Sequence, residues 1–156
     1  MDPASFAASL LTLLGAAGAT CEFVYNFILD VSEAPDEIHS QAIKLRCLHQ
    51  SISSLVGLYG RDDLPPELQL DPFLENHIRK FLKDIRNIET KIKRSSTRLD
   101  GSRKHHLRER LTWLSSDRRL RKFYSSLDDW VKIFSTTVST TKLFVALRPL
   151  HLLSPC

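Results

Sequence analysis

The apolar residues of this chain recur at steps of three and four almost throughout, and that periodicity decides which folds are open to it. The cleanest run is Leu74, Ile78, Phe81, Leu82, Ile85, Ile88 and Ile92, which puts about one side chain per turn on one face of a helix. A half-buried strand needs alternation with period two, and no run keeps that alternation long enough. The stripe is coiled-coil-like but lasts only about three heptads, which favours a helix packed inside one domain over an intermolecular coiled coil.

The same spacing marks three more long helices. Leu10, Leu13, Leu14, Ala17, Cys21, Val24, Phe27, Ile28 and Val31 line the first. Ile38, Ala42, Leu45, Leu48, Ile52, Leu55, Val56 and Tyr59 line the second, over about 35–59. Pro35 suits its first turn, where a missing N–H costs nothing, and Gly60 suits the left-handed position after its last. The stretch "RDDLPPELQLD" then breaks regularity, and Asp71-Pro72 supplies an N-cap and a first-turn proline for the third helix, which ends near the loop "SSTRLDGS". Leu107, Leu111 and Leu114 mark a short basic helix. Leu120, Phe123, Leu127, Trp130, Val131, Phe134, Val138 and Val145 mark a last long one, which crosses Thr136, Thr137, Thr140 and Thr141 despite their low propensity and ends at Pro149. The expected fold is therefore all-α: a helical bundle of four long helices plus one short helix over residues 1–148, with a short tail at 149–156.

With 156 residues, 42% of them hydrophobic and 26% charged, the chain is long enough for one domain with a real core. Its three cysteines, Cys21, Cys47 and Cys156, match no disulfide or metal spacing. They imply a reducing, cytoplasmic setting in which Cys21 and Cys47 serve as small core residues. Cys47 and His49 lack further ligands, so neither metal nor cofactor is expected.

From Pro3 to Cys21 the chain carries no charge. A signal peptide needs a positive start, and Asp2 makes this one acidic. A membrane span needs roughly 20 predominantly apolar residues, and Ser5, Ser9, Thr12, Gly15, Gly18 and Thr20 dilute this run. Helical spacing continues past the only candidate cleavage site, Ala17-Gly18-Ala19, so the run reads as the first helix of the fold. Its Gly15, Ala16, Gly18 and Ala19 permit close approach between helices.

Charge is unevenly spread. Residues 1–75 hold eleven Asp or Glu against three Lys or Arg, a net of −8, whereas residues 91–122 hold three against twelve, a net of +9. Such a basic segment attracts phosphates of lipids or nucleic acid, unless the acidic half of the molecule answers it. Nucleic acid is the weakest use, since few aromatics are placed for stacking and no DNA-binding module is recognisable. There is no G-x-x-x-x-G-K, H-E-x-x-H or G-x-S-x-G, and Asp62-Asp63 and Asp128-Asp129 are explained by loop or helix exposure, so no enzyme is expected.

Three stretches carry a resemblance: "MDPASFAASLLTLLGAAGATCEFVYNFI", the turn "SEAPDEI", and "RLTWLSSDRRLRKFYSSLDDWVKIFSTTVST". Together they resemble the fungal N-terminal domain of STAND proteins, a HeLo-like family also named for a protein of an azaphilone pigment gene cluster. The resemblance implies a non-enzymatic signalling bundle ahead of a NACHT or ankyrin-type region, acting by oligomerisation in regulated cell death or heterokaryon incompatibility. In such relatives an N-terminal apolar helix is released and inserts into the membrane; the matching segment here is Phe6 to Leu29. No P-loop or ankyrin repeat follows before Cys156, so the chain reads either as an excised domain or as a stand-alone protein.

Two functions follow as expectations. In the first, Phe6, Leu10, Leu11, Leu13 and Leu14 contact membrane after release, while Arg103, Lys104, Arg108, Arg118, Arg119, Arg121 and Lys122 contact anionic lipid, and the protein moves from cytoplasm to plasma membrane. The second is a soluble homotypic protein–protein interaction module that never touches lipid.

Overall fold

Four helices build the described part of the chain. The computed structural model describes residues 3–30, 36–61, 72–97 and 116–152, and among these the fold is all-α: α1 (Pro3–Asp30), α2 (Asp36–Tyr59), α3 (Pro72–Thr97) and α4 (Arg118–Leu152). The short basic helix through Leu107, Leu111 and Leu114, together with Val31, Pro35 and Asp71, lies outside the described residues.

Contacts between named residues fix the topology. The Cys21 thiol of α1 donates to the Leu45 carbonyl of α2 at 3.2 Å, and Glu22 lies 4.0 Å from His49, so these two helices run antiparallel. Phe81 of α3 meets Trp130 and Phe134 of α4, while Lys91 bridges to Asp117 at 2.7 Å, so these two also run antiparallel. Lys93, near the end of α3, sits over the Phe23 ring near the end of α1, 5.3 Å from its centroid; α1 and α3 are parallel neighbours. Lys44 and Asp128, both about two to three turns into their helices at 3.6 residues per turn, pair at 3.0 Å between α2 and α4. The fold is thus two antiparallel pairs laid side by side. The α2–α3 connection joins helices on opposite corners, and α3–α4 is the most sparingly packed of the neighbouring pairs.

The apolar stripes become one core. All seven stripe residues of α3 are buried, facing α1 and α4. Leu10, Leu14, Ala17, Cys21, Val24, Phe27 and Ile28 of α1 join them, with Leu45, Leu48, Ile52 and Leu55 of α2. Aromatic rings fill the α3–α4 side: Phe81 lies edge-on to Trp130 and Phe134, 5.5 Å from each, and Trp130 stacks on Phe134 at 6.1 Å. In the threonine-rich part of α4 Thr137 Oγ1 donates back to the Ile133 carbonyl at 2.8 Å, as Ser135 Oγ does to Val131 at 2.6 Å, so these hydroxyls find their partners within the helix.

Several local expectations are corrected. Gly60 does not take a left-handed conformation: its N–H donates to the Val56 carbonyl at 3.0 Å and Arg61 N–H to Leu58 at 3.3 Å, so α2 ends by tightening its last turn. Pro149 does not end α4, whose helical backbone continues to Leu152; its ring nitrogen has no hydrogen to give, which removes one bond near the helix end. The tail expected from 149 is therefore partly helix. Thr97 is the last residue of α3, so that helix takes in the start of "SSTRLDGS". Cys47 is exposed rather than a core residue, and Val56 is 37% exposed because it falls at the edge of the α2 stripe.

Candidate interaction surfaces

The opening apolar residues are held in the bundle. Phe6, Leu10 and Leu14 are buried, while Leu11 and Leu13 are half-buried and pack against the core. Of the small residues in α1, a methyl added at Gly18 would sit 3.4 Å from Ile52 Cγ2, whereas one at Gly15 would meet nothing within 4 Å. Close approach to α2 is therefore a property of Gly18 and not of Gly15. The Thr12 and Thr20 hydroxyls donate to the carbonyls of Ala8 and Ala16, each at 2.9 Å, so the helix pairs these polar groups within itself.

Of the basic residues, Arg118, Arg119, Arg121 and Lys122 are described, and all four are exposed on the first turns of α4. Arg103, Lys104 and Arg108 lie outside the described residues. The register places this basic turn at the opposite end of the bundle from Leu10, roughly 30 Å away at 1.5 Å per residue. The apolar and basic residues therefore do not share a resting surface. Acidic residues lie closer: Asp36 and Glu37 open α2, level with the start of α4.

Asp117 caps α4. Its Oδ1 accepts the N–H groups of Arg119 (2.8 Å) and Leu120 (3.0 Å), and its Oδ2 accepts from Lys91 Nζ at 2.7 Å. Burial alone would raise its pKa, but these donors and the Lys91 charge outweigh it and hold the carboxyl below the ordinary aspartate value. An aspartate just before an apolar-periodic run was the sequence signal for this cap.

Cys21 is the opposite case, a thiol pushed up to about 12 by burial and so inert as a nucleophile. Cys47 and His49 sit two apart on α2, where side chains do not face each other. Among the described residues no group of three or more His, Cys, Asp or Glu is arranged to hold a metal ion.

One surface was not anticipated. Leu143, Phe144 and Leu147 are exposed on α4, at 58%, 54% and 43%, beyond the level at which α2 ends and α3 begins. Phe73, 73% exposed at the start of α3, lies toward the same end. The sequence pattern hid them because their helix keeps the apolar step while its neighbours stop.

Among the described residues the class this fold defines is a four-helix, all-α bundle with an apolar first helix. No family model matches the chain, and no curated protein or solved structure matches it either.

Proposed function

We propose that the chain is a non-enzymatic signalling bundle, like the N-terminal domain of fungal STAND proteins, acting by oligomerisation and by delivering α1 to a membrane during regulated cell death or heterokaryon incompatibility. The observation that carries this reading is α1 itself. Ser5–Asp30 is long and apolar enough to cross a bilayer, alone among the described helices, and only 39% of its apolar window is buried in the bundle. Helices in lipid must satisfy their polar groups internally, as Thr12 and Thr20 already do.

Release is costly. Phe6, Leu10, Leu14, Val24, Phe27 and Ile28 are all buried; at about 1.5–3 kcal/mol for each large apolar side chain, exposing them costs on the order of 9–18 kcal/mol. That matches the whole stability of a typical domain, about 5–15 kcal/mol. The helix therefore stays in the bundle until clustering and burial in lipid offset the loss, and the distant basic turn of α4 makes a separate anionic contact. The cytoplasmic protein is then recruited to the plasma membrane.

Flotation of an artificially clustered form with anionic liposomes tests this. Leu11→Glu and Leu13→Glu are the variants of choice because their side chains are only half-buried. Each is expected to keep its circular dichroism melt and lose flotation. Folded variants that still float would sink the membrane reading.

The exposed apolar end favours a second reading, a soluble homotypic interaction module. In that case sedimentation shows self-association that Phe144→Ser abolishes, with no flotation.

A further inference from the structure

Among the described side chains of α3, every exposed charge is a cation. Arg79, Lys80, Lys83, Arg86, Lys93 and Arg94 are exposed, whereas the three acids of the helix, Glu75, Asp84 and Glu89, are half-buried. Glu75 and Glu89 pair with Arg79 and Lys93 at 2.7 and 2.8 Å. Between those pairs Lys83 and Arg86 form no ion pair with another described residue. Arg79, Lys83, Arg86 and Lys93 fall at i, i+4, i+7 and i+14, so they stand in one line, on the side of the helix away from the buried Leu74–Ile92 stripe. From Arg79 to Arg94 that line measures roughly 22 Å at 1.5 Å per residue.

The line joins two places that the bundle holds apart. At one end the Lys91–Asp117 bridge brings α3 against the basic first turns of α4. At the other, because Lys93 lies over Phe23 and α1 and α3 run parallel, Arg79 comes level with Ser9 and Leu10. The line is convex, since α3 occupies a corner of the bundle, and no exposed large apolar side chain interrupts it between Arg79 and Arg94. A partner protein needs pockets for its anchoring side chains, and single-stranded nucleic acid needs aromatic platforms; this line offers neither. A sheet of anionic headgroups needs only a straight run of cations.

We infer that the exposed side of α3 is a docking surface for an anionic bilayer, continuous with the basic turn of α4 and placed so that the first half of α1 lies alongside the lipid. This docking rests on the membrane reading above and sets the orientation in which the bundle meets the membrane. A single copy holds loosely at physiological salt, and clustering adds the contacts of several copies. The contact is electrostatic and is lost in about 1 M salt, where the Debye length is about 3 Å, whereas insertion of α1 is apolar and persists. Flotation in 1 M salt therefore reports α1 alone.

The test mixes the unclustered full chain with vesicles of phosphatidylcholine and with vesicles that also carry phosphatidylserine. Flotation is measured in about 0.01 M and about 1 M salt, where the Debye lengths are about 30 and 3 Å. The chain should float with the phosphatidylserine vesicles, and in low salt alone. Lys83→Gln and Arg86→Gln should each weaken that binding about fivefold, and the two together about 25-fold, through loss of one surface cation apiece. Arg46→Gln, which removes an exposed cation from α2 on the opposite corner, should leave it unchanged. Circular dichroism of each variant confirms folding. A clustered parent chain that fails to float in 1 M salt would sink the insertion of α1 while the low-salt result still decides the docking. The docking is overturned if phosphatidylserine vesicles do not hold the unclustered chain in low salt, if the folded α3 variants bind them as the parent does, or if duplex DNA or polyglutamate binds the chain where the vesicles do not.

Discussion

Phe81 is where the bundle is most exposed to a single truncation. Its ring is fully buried and meets two others edge-on, each with centroids 5.5 Å away. Phe→Ala in a packed core costs about 3–5 kcal/mol, the spread reflecting how far the site collapses. Two aromatic pairs, at about 0.5–1.5 kcal/mol each beyond burial, place Phe81→Ala in the upper half of that range. For a domain of this size each kcal/mol lowers Tm by about 2–4 °C, so a loss of about 4–5 kcal/mol should lower the melt by roughly 8–20 °C. Phe81→Leu keeps most of the volume and loses the ring contacts, and should cost about 1–2 kcal/mol. Urea unfolding followed by far-ultraviolet circular dichroism, with the slope unchanged between variants, measures both. A loss below about 1 kcal/mol for Phe81→Ala would refute the idea that this cluster joins α3 to α4.

Three further outcomes can be checked. Asp117→Ala should cost about 1–2 kcal/mol at pH 7 through loss of the α4 cap. Because the folded Asp117 pKa is depressed, its contribution is present above the ordinary value of 3.8 and lost as pH falls below it; acid titration of stability should flatten there in Asp117→Asn. Gly15→Ala, entering open space in mid-helix, should stabilise by about 0.5–1 kcal/mol, read as a raised melting temperature. A thiol reagent at pH 8 should modify Cys47 in the native protein and reach Cys21 only on unfolding, as peptide mapping would show.

The helices were legible because each buries one face, and burial of one face imposes the three-and-four step. All seven residues of the Leu74–Ile92 stripe lie in the core for that reason. Helix ends were read less well. Gly60 and Pro149 carry strong local preferences, yet the chain ends α2 with a tightened turn and carries α4 past its proline, because preferences of this size yield to the rest of the structure. The spatial relation of the candidate residues was not legible at all. Nothing in the spacing says that α2 and α3 occupy opposite corners, and that placement separates Leu10 from Arg118.

The pairing of parallel neighbours has an electrostatic consequence. In a bundle whose neighbours all alternate in direction, each helix dipole lies beside an opposing one. Here α2 and α4 begin side by side, so two positive helix ends adjoin. Acidic groups stand at both: Asp36 and Glu37 in the first turn of α2, and Asp117 at the cap of α4. Each is worth about 0.3–1 kcal/mol against a helix terminus. Part of the acidity of the first half of the chain thus answers the backbone itself, holding together two helix ends that would otherwise repel.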